Sequence, residues 1–321
     1  MSDKVRWGVM GTGGIASKFA GQMPDASESV LVASGSRSQE SADAFAKKFG
    51  GRALGSYEAL LADPDVEAVY ISLPNSMHHP WTIKALEAGK HVLCEKPIAA
   101  NAQQAAEMFA AAKQHDRVLI EAFMYRCHPA VQEAIRRVRN GDIGDVKLIR
   151  SHFTFQRPVN TADVRYQSDL AGGSIMDVGS YCVNFSRALA GREPERVHAI
   201  ANICETGVDD YAAGTLDFGN GTLAVFTSGM TVQADRTTFV GGSEGFLAFE
   251  MPWFCEGKFT ICKDGETETV QLGSLSSQYA MEADAMAKVL REGAAPFMTE
   301  QDTLGNMKAL DQLRKAAGLG Y

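Results

Sequence analysis

The run Val5-Arg6-Trp7-Gly8-Val9-Met10 leads directly into Gly11-Thr12-Gly13-Gly14-Ile15-Ala16, and the next residues, through Phe19 and Met23, have the apolar spacing of a helix. An apolar strand, a turn of the form Gly-x-Gly-x-x-Ala and a helix form the context in which a dinucleotide fingerprint has physical meaning. Gly11 permits the tight turn, Gly13 lets the backbone approach a pyrophosphate, and Ala16 keeps the helix close to the strand. Gly14 and Ile15 open the helix, whose free N–H groups and partial positive charge suit phosphate oxygens. Three glycines alone also serve ordinary tight turns. The flanking strand and helix favour the cofactor reading.

Moving outward, residues 29–34 read as the next strand, and the chain continues Gly35-Ser36-Arg37-Ser38 with no acid before Glu40. A site built for NAD usually ends this strand in Asp or Glu, which binds the ribose 2′-hydroxyl. Arg37 instead attracts a 2′-phosphate and stacks on adenine, and Ser36 can hydrogen-bond, so the expected cofactor is NADP in preference to NAD. The other reading is a solvated arginine heading the helix at 39–48. A short helix opened by Ser56 breaks at Asp63-Pro64-Asp65, and a strand over 69–73 runs into Pro74-Asn75-Ser76-Met77-His78. His78 is expected in a loop, where a histidine is usually just exposed. A helix over 81–88 comes next.

The strand after it, His91-Val92-Leu93-Cys94, stops at Glu95-Lys96-Pro97. Two charges and a proline cannot continue a sheet interior, so the chain leaves the sheet there. Ligands of open α/β sheets bind outside the carboxyl ends of strands, where Lys96 and Glu95 are placed for chemistry. An ordinary solvated strand end is the alternative. A helix over 102–114 and a strand over 118–122 complete an alternation that implies a doubly wound parallel sheet, with a dinucleotide-binding domain over residues 1–122.

The pattern then changes. An amphipathic helix is expected over 130–139, a long strand over 146–155 and a polar, irregular stretch over 156–169. Gly172-Gly173-Ser174-Ile175-Met176-Asp177-Val178-Gly179-Ser180-Tyr181 begins a helix that stops at Gly191. Asp177 and Tyr181, four apart, share a helical face. Ser174-x-x-Asp177 is also capping-box-like, and Tyr181 also reads as a core aromatic. From Arg196 to Leu272 short strands alternate with turns, including an Asn220-Gly221 hairpin signal. Residues 123–321 are therefore expected to form an α+β domain with a large, mostly antiparallel sheet, closed by helices over 278–291 and 300–317.

The 321 residues suit two domains, and 45% apolar with 22% charged residues suits a soluble globular chain. A net charge of −8 repels nucleic acid and anionic membrane on average, leaving room for a local phosphate pocket. The six cysteines, Cys94, Cys127, Cys182, Cys204, Cys255 and Cys262, show no Cys-x-x-Cys or zinc spacing and read as free thiols. The N-terminal residues lack a signal-peptide core and no apolar run is long enough to span a membrane, so a cytoplasmic setting is expected.

Gly11 to Ala16, Pro74-Asn75-x-x-His78 and Gly89 to Pro97 with its Glu95-Lys96-Pro97, taken in order, resemble the glucose–fructose oxidoreductase / inositol dehydrogenase / MocA family of nicotinamide-dependent sugar oxidoreductases. Many members carry Asp-x-x-x-His where this chain has Asp177-x-x-x-Tyr181. That departure is similar to a branch with glucose–fructose oxidoreductase, dimeric dihydrodiol dehydrogenase and some D-xylose dehydrogenases, as are Glu121 to Arg126 and Leu170 to Gly173. The resemblance implies that Lys96 faces nicotinamide and substrate, and that Ser72, Pro74, Asn75, His78 and Glu95 contact the cofactor. It implies a Lys96–Pro97 bond that is often cis, a proton-transfer role for Tyr181, and an Arg165 near cofactor or substrate, preceded by Val164 where relatives often have Trp. It also implies a homo-oligomer built through the open face of the C-terminal sheet.

The expected reaction is reversible hydride transfer between nicotinamide and a carbinol carbon of a sugar or polyol, with an aldose of the D-xylose or D-glucose type first. Tyrosine titrates near pH ~10 unaided, so a Lys96 ammonium favouring the phenolate is part of that expectation. Asp177 orients Lys96 or substrate hydroxyls. The cofactor carries the hydride, so no metal is expected. A dihydrodiol dehydrogenase or ketosugar reductase is the alternative within the chemistry, and a non-catalytic NADP-binding sensor is the alternative outside it.

Overall fold

The computed structural model describes residues 4–254, 256–273 and 277–320; Cys255 and the leading residues 1–3 lie outside them. The chain divides into two compact units, Met1–Cys127 with Ser277–Thr303, and His128–Ser276 with Leu304–Tyr321.

In the first unit, β1 (Val5–Met10), α1 (Gly14–Gln22), β2 (Ser29–Gly35), α2 (Gln39–Phe49), β3 (Arg52–Leu54), α3 (Tyr57–Ala62), β4 (Ala68–Ile71), α4 (Asn75–Glu87), β5 (His91–Glu95), α5 (Ala102–Gln114) and β6 (Leu119–Ala122) alternate as expected. The strands pair in parallel in the order β3-β2-β1-β4-β5-β6. The order reverses between β1 and β4, which is the topological switch point of a doubly wound sheet. Helices on both faces explain why β4 is buried at every position. Ser38, Ser56 and Asn101 cap α2, α3 and α5 by accepting from Ser41, Ala59 and Gln104 N–H.

One expectation fails here. The helix read from Trp81 onward starts at Asn75, so His78 lies in its first turn rather than in a loop. Pro80 sits inside α4, a position that usually breaks or kinks a helix. This unit also takes in α8 (Gln278–Glu292), whose Asp284 accepts from Ser27 N–H at 2.7 Å and Glu28 N–H at 3.0 Å.

In the second unit, α6 (Pro129–Arg139) precedes β7 (Val146–Thr154). After a π-helical turn over Ile175–Gly179 comes α7 (Ser180–Ala190), ended by Gly191 in the left-handed conformation at φ 71°. Then come β8 (Arg196–Ile203), β9 (Asp209–Asp217), β10 (Leu223–Gly229), β11 (Thr238–Gly242), β12 (Gly245–Phe249), β13 (Lys258–Lys263) and β14 (Glu266–Gln271). They form a sheet in the order β14-β13-β12-β11-β7-β10-β9-β8, antiparallel except where β7 runs parallel to β10. The last long helix is α9 (Glu300–Ala316).

Strand β14 was not foreseen. Its Glu-Thr-Glu-Thr-Val-Gln carries no apolar alternation, because it is an exposed edge paired only to β13, and its charges discourage further pairing. One face of the sheet buries Ile149, Leu216, Phe226, Leu247 and Phe259 beneath α6 and α7. The other leaves Ile200 81%, Leu223 50%, Tyr211 43% and Leu148 39% exposed, with Leu223 paired directly to Leu148.

Candidate active site

Met10, Ile71 and Cys94 are in register across β1, β4 and β5. Gly11, Ser72 and the turn after Glu95 therefore leave the sheet along one edge. With strands ~4.8 Å apart, Lys96 departs the sheet about 10 Å from the glycine turn. Gly11 has φ +101°, where a side chain is strained, and a Cβ there would come within 3.2 Å of Ser72 Oγ. A Cβ at Gly13 or Gly14 would meet nothing within 4 Å, so the backbone is open to approach. No side chain caps α1 at Gly13 and its first turn holds no acid. Those first-turn amides and the helix dipole fit a pyrophosphate, so the fingerprint residues suit a dinucleotide.

Ser72 donates from Oγ to Met10 O at 3.1 Å and so stitches β4 to β1 at the switch point. Pro74 stands at the N-cap position of α4 without a side-chain cap bond, and Asn75 is the first residue of the helix. Ser36, at the start of the loop after β2, is buried with its Oγ 3.5 Å from Thr12 Oγ1, while Arg37 is exposed. Arg37 lies near enough to Tyr57 to pull its phenol down against the larger effect of burial, which raises it.

The Lys96–Pro97 peptide is cis, as the resemblance implied. The turn around it is held by buried groups. Lys96 N–H donates to Glu95 Oε2 at 3.2 Å, Glu95 Oε1 accepts from the Tyr70 hydroxyl, and Ile98 N–H donates to Glu121 Oε1 at 3.0 Å. His78 is wholly buried, with Nδ1 2.9 Å from Pro97 O and Nε2 2.7 Å from Leu73 O. The neutral ring has a single N–H, so it donates to one of these carbonyls and packs against the other, between the loop after β4 and the turn after β5. Burial pushes His78 down to about 4, against the pull of the two carbonyls. Burial and the neighbouring Glu95 hold Tyr70 well above the usual phenol range.

In the second unit, Asp177 lies inside the π-helical turn and Tyr181 in the first turn of α7. Arg165, in a 3₁₀ turn, donates from Nε to Asp177 Oδ2 at 2.9 Å and from Nη1 to both Asp163 oxygens at 3.2 Å. Asp177, then Asp163, raise the guanidinium's pKa against its burial. Tyr181 is 5% exposed, its ring edge-on to Phe153 at 5.3 Å and Trp253 at 5.7 Å. Trp253 stacks on Phe153 and donates from Nε1 to His152 O at 2.9 Å, which fixes this collar to β7. The capping-box reading of Ser174 and Asp177 does not hold: Ser174 makes no cap bond and turns to Asp209 instead.

Each unit thus gathers its own predicted residues: Gly11 to Ile15, Ser72 to Asn75 and Lys96 along one sheet edge, and Asp177, Arg165 and Tyr181 around one turn. Sequence reasoning missed Tyr70, Trp253 and Asp209. Tyr70 reads as one more apolar strand residue. Glu121, noted for its resemblance only, stands between Ile120 and Ala122 in a fully buried strand, and an acid there signals a buried carboxyl with a dedicated partner. Among the described residues no group of three or more His, Cys, Asp or Glu is placed to hold a metal ion. None of the described helices is long and apolar enough to cross a membrane.

The sheet order and the open glycine turn at its switch point define a dinucleotide-binding fold joined to an α+β unit. Residues 5–123 match the oxidoreductase family with an NAD-binding Rossmann fold, and residues 131–248 match the GFO/IDH/MocA C-terminal domain. The chain is 35% identical over 320 residues to D-xylose 1-dehydrogenase (NADP(+)) 2 of Haloferax volcanii, covering 98% of each. It is 33% identical to the trans-1,2-dihydrobenzene-1,2-diol dehydrogenase of Mus musculus, over 99% of this chain and 98% of that one. Among solved structures, KijD10, a 3-ketoreductase from Actinomadura kijaniata in complex with NADP and TDP-benzene, superposes with a TM-score of 0.89 at 29% identity over 98% of both chains. The chain belongs to the GFO/IDH/MocA oxidoreductase family.

Proposed function

We propose that the protein is an NADP(H)-dependent oxidoreductase acting on a carbinol or carbonyl carbon of a sugar or sugar-like polyol, with an aldose of the D-xylose or D-glucose type first. The observation that carries this reading is the open, uncapped glycine turn at the switch point with Lys96 leaving the same sheet edge. The names of the Haloferax relative and of the KijD10 complex support NADP, and so does Arg37 where an NAD site usually has an acid.

Hydride exchange is the chemistry a bound nicotinamide supplies. The chain's residues bind, orient and move the proton. Gly11, Gly13, Gly14 and Ile15 hold the pyrophosphate, and Ser36 and Arg37 hold the 2′-phosphate. Ser72, Pro74 and Asn75 shape the same edge. His78 and Glu95, both buried, contact the cofactor from that edge and hold its backbone. Lys96 donates to the substrate oxygen as it gains carbonyl character, and its positive charge favours loss of that oxygen's proton. Tyr181 exchanges the proton at its phenol oxygen, help that is typically worth ~10²–10⁴-fold. Asp177, held by Arg165, orients the groups around that oxygen. The band of Ile200, Tyr211, Leu223 and Leu148 on the open sheet face receives a second copy of the chain.

The test is a panel of aldoses, polyols and trans-diols with NADP⁺ and NAD⁺, read by absorbance of the reduced nicotinamide. Turnover of an aldose or polyol with NADP⁺ is expected. Turnover confined to diols moves the substrate assignment to the second relative's class. Tight NADP binding with no turnover across the panel overturns the enzymatic reading.

A further inference from the structure

The helix that carries Asp177 and Tyr181 is anchored at its start by a residue from another strand. Asp209, the first residue of β9, is wholly buried. Its Oδ2 accepts from Ser174 Oγ at 2.6 Å and from Ile175 N–H at 2.8 Å. The single Ser174 hydroxyl proton goes to Asp209, so the 2.9 Å contact between Ser174 Oγ and Ser228 Oγ is donated by Ser228, itself buried on β10. Gly179 fixes the far end of the same turn. A Cβ there would lie 3.3 Å from Ser228 Cβ and 3.4 Å from Ser174 O. The π-helical turn is thus pinned to β9 and β10 at both ends.

A π turn holds one residue more than the α-helix around it, and such turns are rare. Converting it to regular helix would rotate the segment before the turn against α7 by about 100°, the step of one residue. Asp177 lies inside the turn and Tyr181 just beyond it, so their relative direction depends on the turn being kept. Hydrogen bonds to a carboxylate are stronger than neutral ones, and a negative charge is favoured at a helix start. Ser174 supplies no cap of its own, which leaves Asp209 in that position.

We propose that Asp209 is a positioning residue: by accepting from Ser174 and Ile175 it holds the π turn in register on the sheet and so sets the directions of the Asp177 carboxylate and the Tyr181 phenol. The proposal rests on the roles given above to Asp177 and Tyr181.

The experiment compares full-length Asp209→Ala, Asp209→Asn, Ser174→Ala and Tyr181→Phe for kcat, sugar KM, NADPH affinity by fluorescence, the pH dependence of kcat, and Tm. Asp209→Ala is expected to lower kcat about ten-fold or more, with NADPH affinity changed by less than about two-fold and the pH profile displaced. Asp209→Asn keeps an acceptor and is expected to recover most of the loss, a rescue that a contribution to stability alone would not produce in kcat. Ser174→Ala is expected to show a smaller fall of the same kind. If Asp209→Ala does not fold, Ser174→Ala and Asp209→Asn decide the matter. A lowered Tm with unaltered kcat and pH profile in the folded variants overturns the positioning role. Tyr181→Phe separates the two ideas: full activity there overturns the functional reading, whereas an inactive Tyr181→Phe beside unaltered Asp209 and Ser174 variants overturns the positioning role alone.

Discussion

Arg165 Nε donates to Asp177 Oδ2 at 2.9 Å, linking the polar stretch before the helix to the turn that starts it. The same guanidinium also meets Asp163, so one cation serves two carboxylates. Asp177 is therefore held and aimed by a planar, bidentate-capable partner. Arg165→Met is expected to lower kcat about ten-fold while NADPH binding holds. A double-mutant cycle with Asp177→Asn is expected to show coupling of about 1 kcal/mol or more in the activation free energy. Additive effects would mean that the pair does not act as a unit.

His78 gives a pH prediction for stability. Its folded pKa is about 4 against an ordinary 6.5, because burial disfavours the charged ring. Between those values the unfolded chain binds more protons than the folded one, so stability rises with pH. The full stability is present above pH 6.5 and is lost as the pH falls toward 4, by up to ~3 kcal/mol from this group. His78→Gln lacks that titration. Its Tm deficit relative to wild type is expected to shrink steadily from neutral pH to about 4.5; a constant deficit would contradict the assignment.

Cofactor choice turns on Arg37. With no acid at the end of β2 and an exposed guanidinium in the following loop, NADPH is expected to bind more tightly than NADH. Arg37→Ala should weaken NADPH by about ten-fold or more, the size of a lost charge-assisted contact, and leave NADH nearly unchanged. Equal losses for both cofactors would remove the 2′-phosphate role.

The open sheet face makes a prediction about assembly. Ile200 is 81% exposed at the middle of β8, so a charge there costs the isolated chain little. Light scattering is expected to show a homo-oligomer for wild type and a shift to smaller species for Ile200→Glu with Tm within a few degrees. An unchanged mass would place the interface elsewhere.

Much of this was legible in the residues, for a physical reason. Where a strand, a glycine turn and a helix stand in sequence, hydrophobic period and turn chemistry agree, and β1, Gly11 and α1 fall as read. The Glu95-Lys96-Pro97 stop likewise marked a strand end, because proline cannot donate to the ladder, although the strand takes in the buried Glu95 before it ends. What escaped depends on partners distant in sequence. Asp209 and Ser174 are 35 apart, and nothing local shows that a serine shaped like a cap will bond another strand. The start of α4 escaped because Pro80 mimics a boundary, and β14 because an edge strand needs no apolar face. The π turn escaped because its extra residue leaves no mark on the 3.6-residue period over so short a run.

Lys96→Met offers the most direct measurement, because methionine keeps the length of the side chain and removes its charge. Single-turnover hydride transfer from bound NADPH to a ketosugar, or from an aldose to NADP⁺, is expected to slow by about 10² or more while cofactor affinity stays within a few-fold. Transfer within a few-fold of wild type, at unchanged NADPH affinity, would contradict the account.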